Sequence, residues 1–148
     1  MNNSHPAART IQYADIPEGM REQHDYTITE EVYRGFLAAF GDYSPIHVDD
    51  AVAKQCGFHA PVMHGSILNG FLSHFVGMHF PGALSLLLSV DIRFSQPSYL
   101  GDRIRIEAVV SQKLDVRQVV VLDVVFNNLT QSQLAARARV QVMLRNPQ

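Results

Sequence analysis

Apolar positions change their period partway along the chain, from a helical repeat before residue 81 to strict alternation after it. In the first part, Ile28, Val32, Phe36, Leu37 and Phe40 recur at helical spacing and give one apolar face. Thr27 and Glu30 stand at the spacing of a capping box at its start, and Gly41 stands where a C-terminal cap belongs. A second, short helix is predicted through Ala51, Val52 and Gln55, capped by Asp49 or Asp50 and stopped by Gly57; Pro61 keeps the residues around it irregular. Residues 66–80 differ in kind. Ile67, Leu68, Phe71, Leu72, Phe75, Val76 and Met78 point in nearly every direction, no Asp, Glu, Lys or Arg interrupts them, and Pro81-Gly82 ends them, which predicts a buried helix. From there Leu84, Leu86, Leu88, Val90, Ile92 and Phe94 alternate with more polar residues. Ile104 to Val110, the β-branched run Val119 to Phe126, and Leu134 to Leu144 follow, with Gln112 to Asp115 read as a polar connector. Ahead of all this, residues 11–16 and 21–27 read as two short strands, the first closed by the turn signal Pro17-Glu18-Gly19.

Four long strands on short connections predict an antiparallel sheet with one apolar face, and the helix at 66–80 is the element apolar enough to fill it. The expected fold class is therefore α+β, a single curled antiparallel β-sheet wrapped around a long buried central helix. Residues 11–148 form that one domain and residues 1–10 a flexible N-terminal tail. A chain of 148 residues is long enough for a full core. With 47% hydrophobic and 18% charged residues, disorder beyond the termini is not expected. The net charge of −2 gives no reason to expect nucleic acid or an anionic membrane as partner. No apolar run has the length of a transmembrane helix, the polar start is unlike a secretory signal, and the lone Cys56 fits a reducing compartment, so a cytoplasmic protein is the default expectation.

Chemistry concentrates on the loop Gly41-Asp42-Tyr43-Ser44-Pro45-Ile46-His47, which sets a carboxylate and an imidazole five residues apart. Pro45 disfavours helical backbone at Ser44, so the segment must turn away from the helix before it. Asp42 and His47 can then hold one water between them, although a helix-end aspartate and an ordinary histidine would satisfy the same spacing. Gly65 opens the buried helix, where amides lack intrahelical partners and a missing side chain admits an oxygen atom; a glycine needed only for the turn is the competing reading. Ser73 lies two helical turns beyond Ser66, on the same side. His59 and His64, like His74 and His79, are five apart rather than four, so a helical metal pair is not expected. No glycine-rich phosphate loop follows a strand, and Arg93, Arg103 and Arg105 read first as a solvated sheet face.

The order of these elements resembles the MaoC-like hydratase family of hotdog-fold proteins, and the (R)-specific enoyl-CoA hydratases in particular. Three segments carry the resemblance: the loop from Gly41 to His47, Pro61-Val62-Met63-His64-Gly65 before the helix, and Arg93-Phe94-Ser95-Gln96-Pro97 followed by Gly101-Asp102. It implies a lyase that adds water reversibly to trans-2-enoyl-CoA, giving (R)-3-hydroxyacyl-CoA. Asp42 and His47 would be the catalytic pair, the Gly65 amide an oxyanion donor, and Ser73 a hydrogen-bonding support for the loop. Ser44 stands where many members carry Asn, which puts a contact of that Asn in doubt; His64, read from its own position, is expected to be structural or loop-supporting at the helix entrance. The resemblance also implies an acyl-CoA substrate and a homodimer joined at sheet edges; the histidine spacing leaves no metal expected, and the missing phosphate loop no resident cofactor beyond the coenzyme A that the substrate brings. The alternatives are a 3-hydroxyacyl-ACP dehydratase, a hotdog acyl-CoA thioesterase, against which the uncharged helix counts, and a non-catalytic acyl-binding subunit.

Overall fold

The computed structural model describes residues 5–145. Its single sheet has five antiparallel strands in the order β1-β3-β4-β5-β2, with β1 at Arg21–Thr27, β2 at Ser85–Phe94, β3 at Arg103–Leu114, β4 at Val119–Asn128 and β5 at Gln133–Leu144. The first half of the chain supplies helices α1 (Glu30–Phe40), α2 (Pro45–Val48), α3 (Asp50–Gln55) and α4 (Ser66–His74). Alternation in the strands does what it predicts: Ile104, Ile106, Ala108 and Val110 of β3 and Val120, Leu122, Val124 and Phe126 of β4 are buried on one face. Small residues on β5 make room beside large ones on β4, Ala136 opposite Phe126 and Ala138 opposite Val124. Against that face α4 packs Ile67, Leu68, Phe71 and Leu72, continued by Phe75 and Val76, in one core. The outer face is polar, and there Arg105 and Arg103 pair with Asp25 and hold its carboxyl down at about 2.

Several expectations are corrected. Residues 11–16 are no strand: Tyr13–Asp15 forms one 3-10 turn, because its groups are taken up by the far end of β3. Tyr13 donates to the Asp115 carboxylate at 2.8 Å and Lys113 donates to the Tyr13 carbonyl at 3.0 Å. The helix cap is Thr29, whose hydroxyl accepts from the Val32 N–H, and not Thr27. Thr27 is still paired with Arg103, and Ile28 donates to the Asp102 carbonyl, which keeps the chain extended two residues further. The polar connector at 112–115 is mostly strand: β3 runs on to Leu114 past a bulge at Ser111.

The alternation of β2 breaks in the same way. Leu87 lies opposite Val142 but Ser89 opposite Gln141, so Leu88 is the extra residue of a bulge, and Leu86, Leu87 and Leu88 are all left partly exposed. The long helix is α-helical only to His74 and continues as a π-helical turn, Phe75–His79. Nor is it apolar all round, since Ser66, Asn69, Gly70, Ser73 and His74 form an exposed stripe. Of the stretch expected as a tail, residues 1–4 lie outside the described residues. Arg9 donates its N–H to the Met78 carbonyl and accepts from the Ala83 N–H. Thr10 bridges Gly82, at φ +97°, where a Cβ would collide with the Arg9 carbonyl. Among the described residues no helix is long and apolar enough to cross a membrane.

Candidate active site

α1 stops at Gly41, which takes the left-handed conformation (φ 67°) and returns its N–H to the Leu37 carbonyl. Asp42 therefore leaves the helix on a fixed heading. Ser44 is extended (ψ 131°), as the following proline requires, and Pro45 then opens α2 where its missing N–H costs nothing. The expected irregular loop thus contains one helical turn, and that turn carries His47. The Asp42 Oδ1 accepts from the Ser44 N–H at 3.2 Å, and the Ser44 carbonyl accepts from the His47 N–H at 2.8 Å. Ser44 supports the loop through its backbone.

Three contacts hold Asp42 and His47 in place. The His47 Nδ1 lies 2.6 Å from the Val62 carbonyl, an acceptor that requires the proton on Nδ1 and turns Nε2 away from that bond. Tyr33 donates its hydroxyl to the His47 carbonyl at 2.8 Å, and burial raises the Tyr33 pKa, keeping it a donor. His64 is buried, and its Nε2 donates to the Asp42 carbonyl at 2.8 Å while standing 3.8 Å from Asp42 Oδ2. The His64 ring packs against Phe36 and His47, with centroids at 4.5 and 4.0 Å, and its Nδ1 is buried without a partner. One ligand atom from each of Asp42, His47 and His64 falls within 4.8 Å of the others, close enough for a shared water or a cation. The spacing of histidine pairs gives no hint of that trio, because His64 arrives from a different segment and already spends Nε2 on the Asp42 backbone.

Gly65 directly precedes α4. Its N–H has no acceptor among the described residues, and a Cβ there would lie 3.1 Å from the half-exposed Phe94 ring, which would have to give way by a few tenths of an ångström. A cavity of about 310 Å³ joins Gly65 to His47, His64, Phe94 and Gln96. A second, of about 720 Å³, runs between α1 and α4 and includes Asp42, Ser66 and Ser73. The structure thus brings Asp42, His47, His64 and Gly65 together and puts Ser73 on the wall of the larger cavity. The hydrogen bond from Ser73 to the loop implied by the resemblance is absent among the described residues. Tyr33 goes unnoticed in the sequence, and Phe36 and Phe94 are read there only as helix-face and strand residues, not as neighbours of the site. Only Tyr33 leaves a signal there, a hydroxyl on an otherwise apolar helix face. The Gly101-Asp102 turn is structural: Asp102 is buried and accepts from the Tyr99 N–H, Asn128 and Gln131.

A curled sheet around one helix, with a carboxylate, an imidazole and a free amide at the helix start, defines a hotdog-fold protein with a polar site beside an apolar cavity. The family model for the MaoC like domain matches residues 13–131, and the chain belongs to that family of hydratases and dehydratases. It is 33% identical over 76 residues to an (R)-specific enoyl-CoA hydratase of Aeromonas caviae, a match spanning 51% of this chain and 57% of that one. It is 26% identical over 113 residues to a 3-hydroxybutyryl-CoA dehydratase of Methylorubrum extorquens, spanning 76% and 72%. With a mitochondrial 3-hydroxyacyl-[acyl-carrier-protein] dehydratase of Arabidopsis thaliana it shares 29% over 76 residues, spanning 51% and 45%. The chain thus aligns with only about half the length of the first and third of these relatives. In three dimensions it is similar to the unliganded R-hydratase PhaJ1 of Pseudomonas aeruginosa, with a TM-score of 0.85 and 25% identity, covering 95% of this chain and 89% of that one.

Proposed function

We propose that this protein adds water reversibly to a trans-2-enoyl-CoA, giving the (R)-3-hydroxyacyl-CoA. The observation that carries this reading is the meeting of Asp42 and His47 within reach of one water, beside the unpartnered Gly65 N–H. In hydration the water oxygen bonds to C3, one water proton passes to the Asp42/His47 pair, and the pair delivers a proton to C2. The electrons of the C2–C3 double bond pass through the thioester oxygen on the way, and an N–H aimed at that oxygen stabilises the charge. Gly65 stands at the start of α4, where the helix dipole adds to the same effect. Because the Val62 carbonyl takes up Nδ1, the His47 Nε2 is the atom that meets the water, and Asp42 Oδ2 is the matching carboxylate oxygen. Which of the two takes the first proton is a property of the coupled pair. Coenzyme A comes with the substrate and no resident cofactor is needed. The (R) outcome rests on the named relatives.

The working unit in this reading is a homodimer joined along β2, an edge strand that leaves Leu86 and Leu88 half exposed. Light scattering should give twice the chain mass; a monomer at working concentration contradicts that part. For the activity, purified protein is mixed with crotonyl-CoA and the conjugated thioester absorbance is followed. A 3-hydroxyacyl-CoA product that an (R)-specific dehydrogenase oxidises is expected. Release of free thiol would replace this reading with thioester hydrolysis, and turnover confined to acyl-carrier-protein thioesters would move it to the dehydratase alternative.

A further inference from the structure

The run from Val62 to Gly65 carries three parts of the site: the Val62 carbonyl at His47 Nδ1, the His64 ring at the Asp42 carbonyl, and the free Gly65 N–H. Among the described residues, its one backbone hydrogen bond outside the site and its own helix goes from the Met63 N–H to the Ser98 carbonyl, at 2.8 Å. The placing of the site therefore passes to the loop 95–102. The same loop lines the smaller cavity, with Ser95 to Ser98 alongside His47, His64 and Gly65.

Ser98 does not hold itself there. Its side chain is buried and its hydroxyl has no partner. The next residue is held: the Tyr99 N–H donates to Asp102 Oδ2 at 2.8 Å. That oxygen also accepts from Asn128 Nδ2, at the end of β4, and from Gln131 Nε2, in the turn after it, both at 2.6 Å. Donors on a buried carboxylate make strong, charge-assisted hydrogen bonds. Closing the turn needs the Tyr99 contact alone. The grip on side chains 26 and 29 residues further on fixes the whole loop against the β4–β5 hairpin. At its other side the Asp102 carbonyl accepts from the Ile28 N–H at 2.9 Å, and Gly101 returns its N–H to the Ile28 carbonyl at 2.8 Å, just before α1. We propose that Asp102 is a positioning residue for the reaction: through Tyr99 and the Ser98 carbonyl it sets Met63, and with Met63 the Val62 carbonyl and the Gly65 N–H. Asp102 itself touches no reacting atom. This deepens the hydratase reading and rests on it.

The test compares wild type with Asp102→Asn, Asp102→Ala and Gln131→Ala. Asparagine offers an oxygen in the place of Oδ2 and keeps an acceptor for all three donors, whereas alanine keeps none. A misplaced group that works only in the transition state lowers kcat and spares KM. Asp102→Ala should lower kcat on crotonyl-CoA about 10- to 100-fold with KM within about twofold, and Asp102→Asn should recover most of the loss. Amide hydrogen exchange at Met63 should quicken in Asp102→Ala and stay near the wild-type rate in Asp102→Asn. A folded Asp102→Ala with wild-type kcat overturns the proposal. So does an equal loss in both Asp102 variants, or a fall in kcat that leaves Met63 exchange unchanged. If Asp102→Ala does not fold, Gln131→Ala decides, since it removes one donor of the three. A kcat about three- to tenfold lower at unchanged KM then supports the proposal, and an unchanged kcat overturns it. Should wild type hydrate no enoyl-CoA, the hydratase reading falls, and the positioning is read from the NMR signals of the Gly65 amide and the His47 ring. Their displacement in Asp102→Ala but not in Asp102→Asn supports it; signals unmoved in both overturn it.

Discussion

The central helix has a group of histidines at each end, and the two groups do opposite things. At its start, His64 and His47 meet the Asp42 carboxylate, two cavities and an unpartnered amide. At its far end, His79 stacks on His24 with ring centroids 3.8 Å apart, His74 accepts or donates at the Tyr26 hydroxyl, and Tyr26 lies flat on Phe71. No carboxylate belongs to that second group, and its rings serve as packing. Burial, helped by the neighbouring His24 and His74, lowers the His79 pKa, and its Nε2 is buried without a partner. The contrast teaches that histidine number and spacing do not make a site. A partner of opposite charge, an approach for substrate and a place for developing charge do.

The largest effect expected from this contrast is catalytic. Asp42→Asn and His47→Gln should each lower hydration about 10²- to 10⁴-fold, and both sit on exposed or half-exposed positions, so melting temperatures should barely move. At the other end the effect should be on stability. Phe75, fully buried where the π-helical turn begins, is expected to cost about 3–5 kcal/mol when replaced by alanine, measured by denaturant unfolding. His64→Leu should lower kcat by about tenfold to a hundredfold with KM little changed, because the Asp42 backbone loses its anchor. His64→Gln keeps an N–H donor and should restore part of the loss; equal losses in both variants would mean that His64 only packs.

The smallest effect is a pH dependence. His79 has a folded pKa below its ordinary value of 6.5, so the unfolded chain binds the proton more readily. The stability that neutral His79 contributes is complete above about pH 6.5 and declines as pH falls towards its folded pKa. Unfolding followed from pH 7.5 to 5 should show that decline, and His79→Gln should flatten it. A decline of equal slope in the variant would contradict the assignment to His79.

What the sequence made legible was local. Gly41 ending a helix and Pro45 forcing an extended Ser44 are contacts between near neighbours, and the Asp42–His47 loop could be read from them. The strand alternation was legible for the same reason. What escaped depends on partners far along the chain. The bulge at Leu88 exists only through its register with β5, and the shift of the cap from Thr27 to Thr29 follows from pairing with residues 101–103. The Phe94 ring over Gly65, the Tyr33 hydroxyl on the His47 carbonyl and the His64 anchor on Asp42 each join segments 14 to 29 residues apart. Residue patterns alone carry no such distances.

The account stands or falls on whether chemistry belongs to the start of the central helix alone. The most direct measurement is the rate of loss of enoyl thioester absorbance, on 2-dodecenoyl-CoA and crotonyl-CoA, for wild type, Asp42→Asn and His79→Gln, with melting temperatures recorded for all three. The account predicts turnover by wild type and His79→Gln, and its collapse in Asp42→Asn with the fold intact. Full turnover by Asp42→Asn, or its loss in a folded His79→Gln, would contradict it.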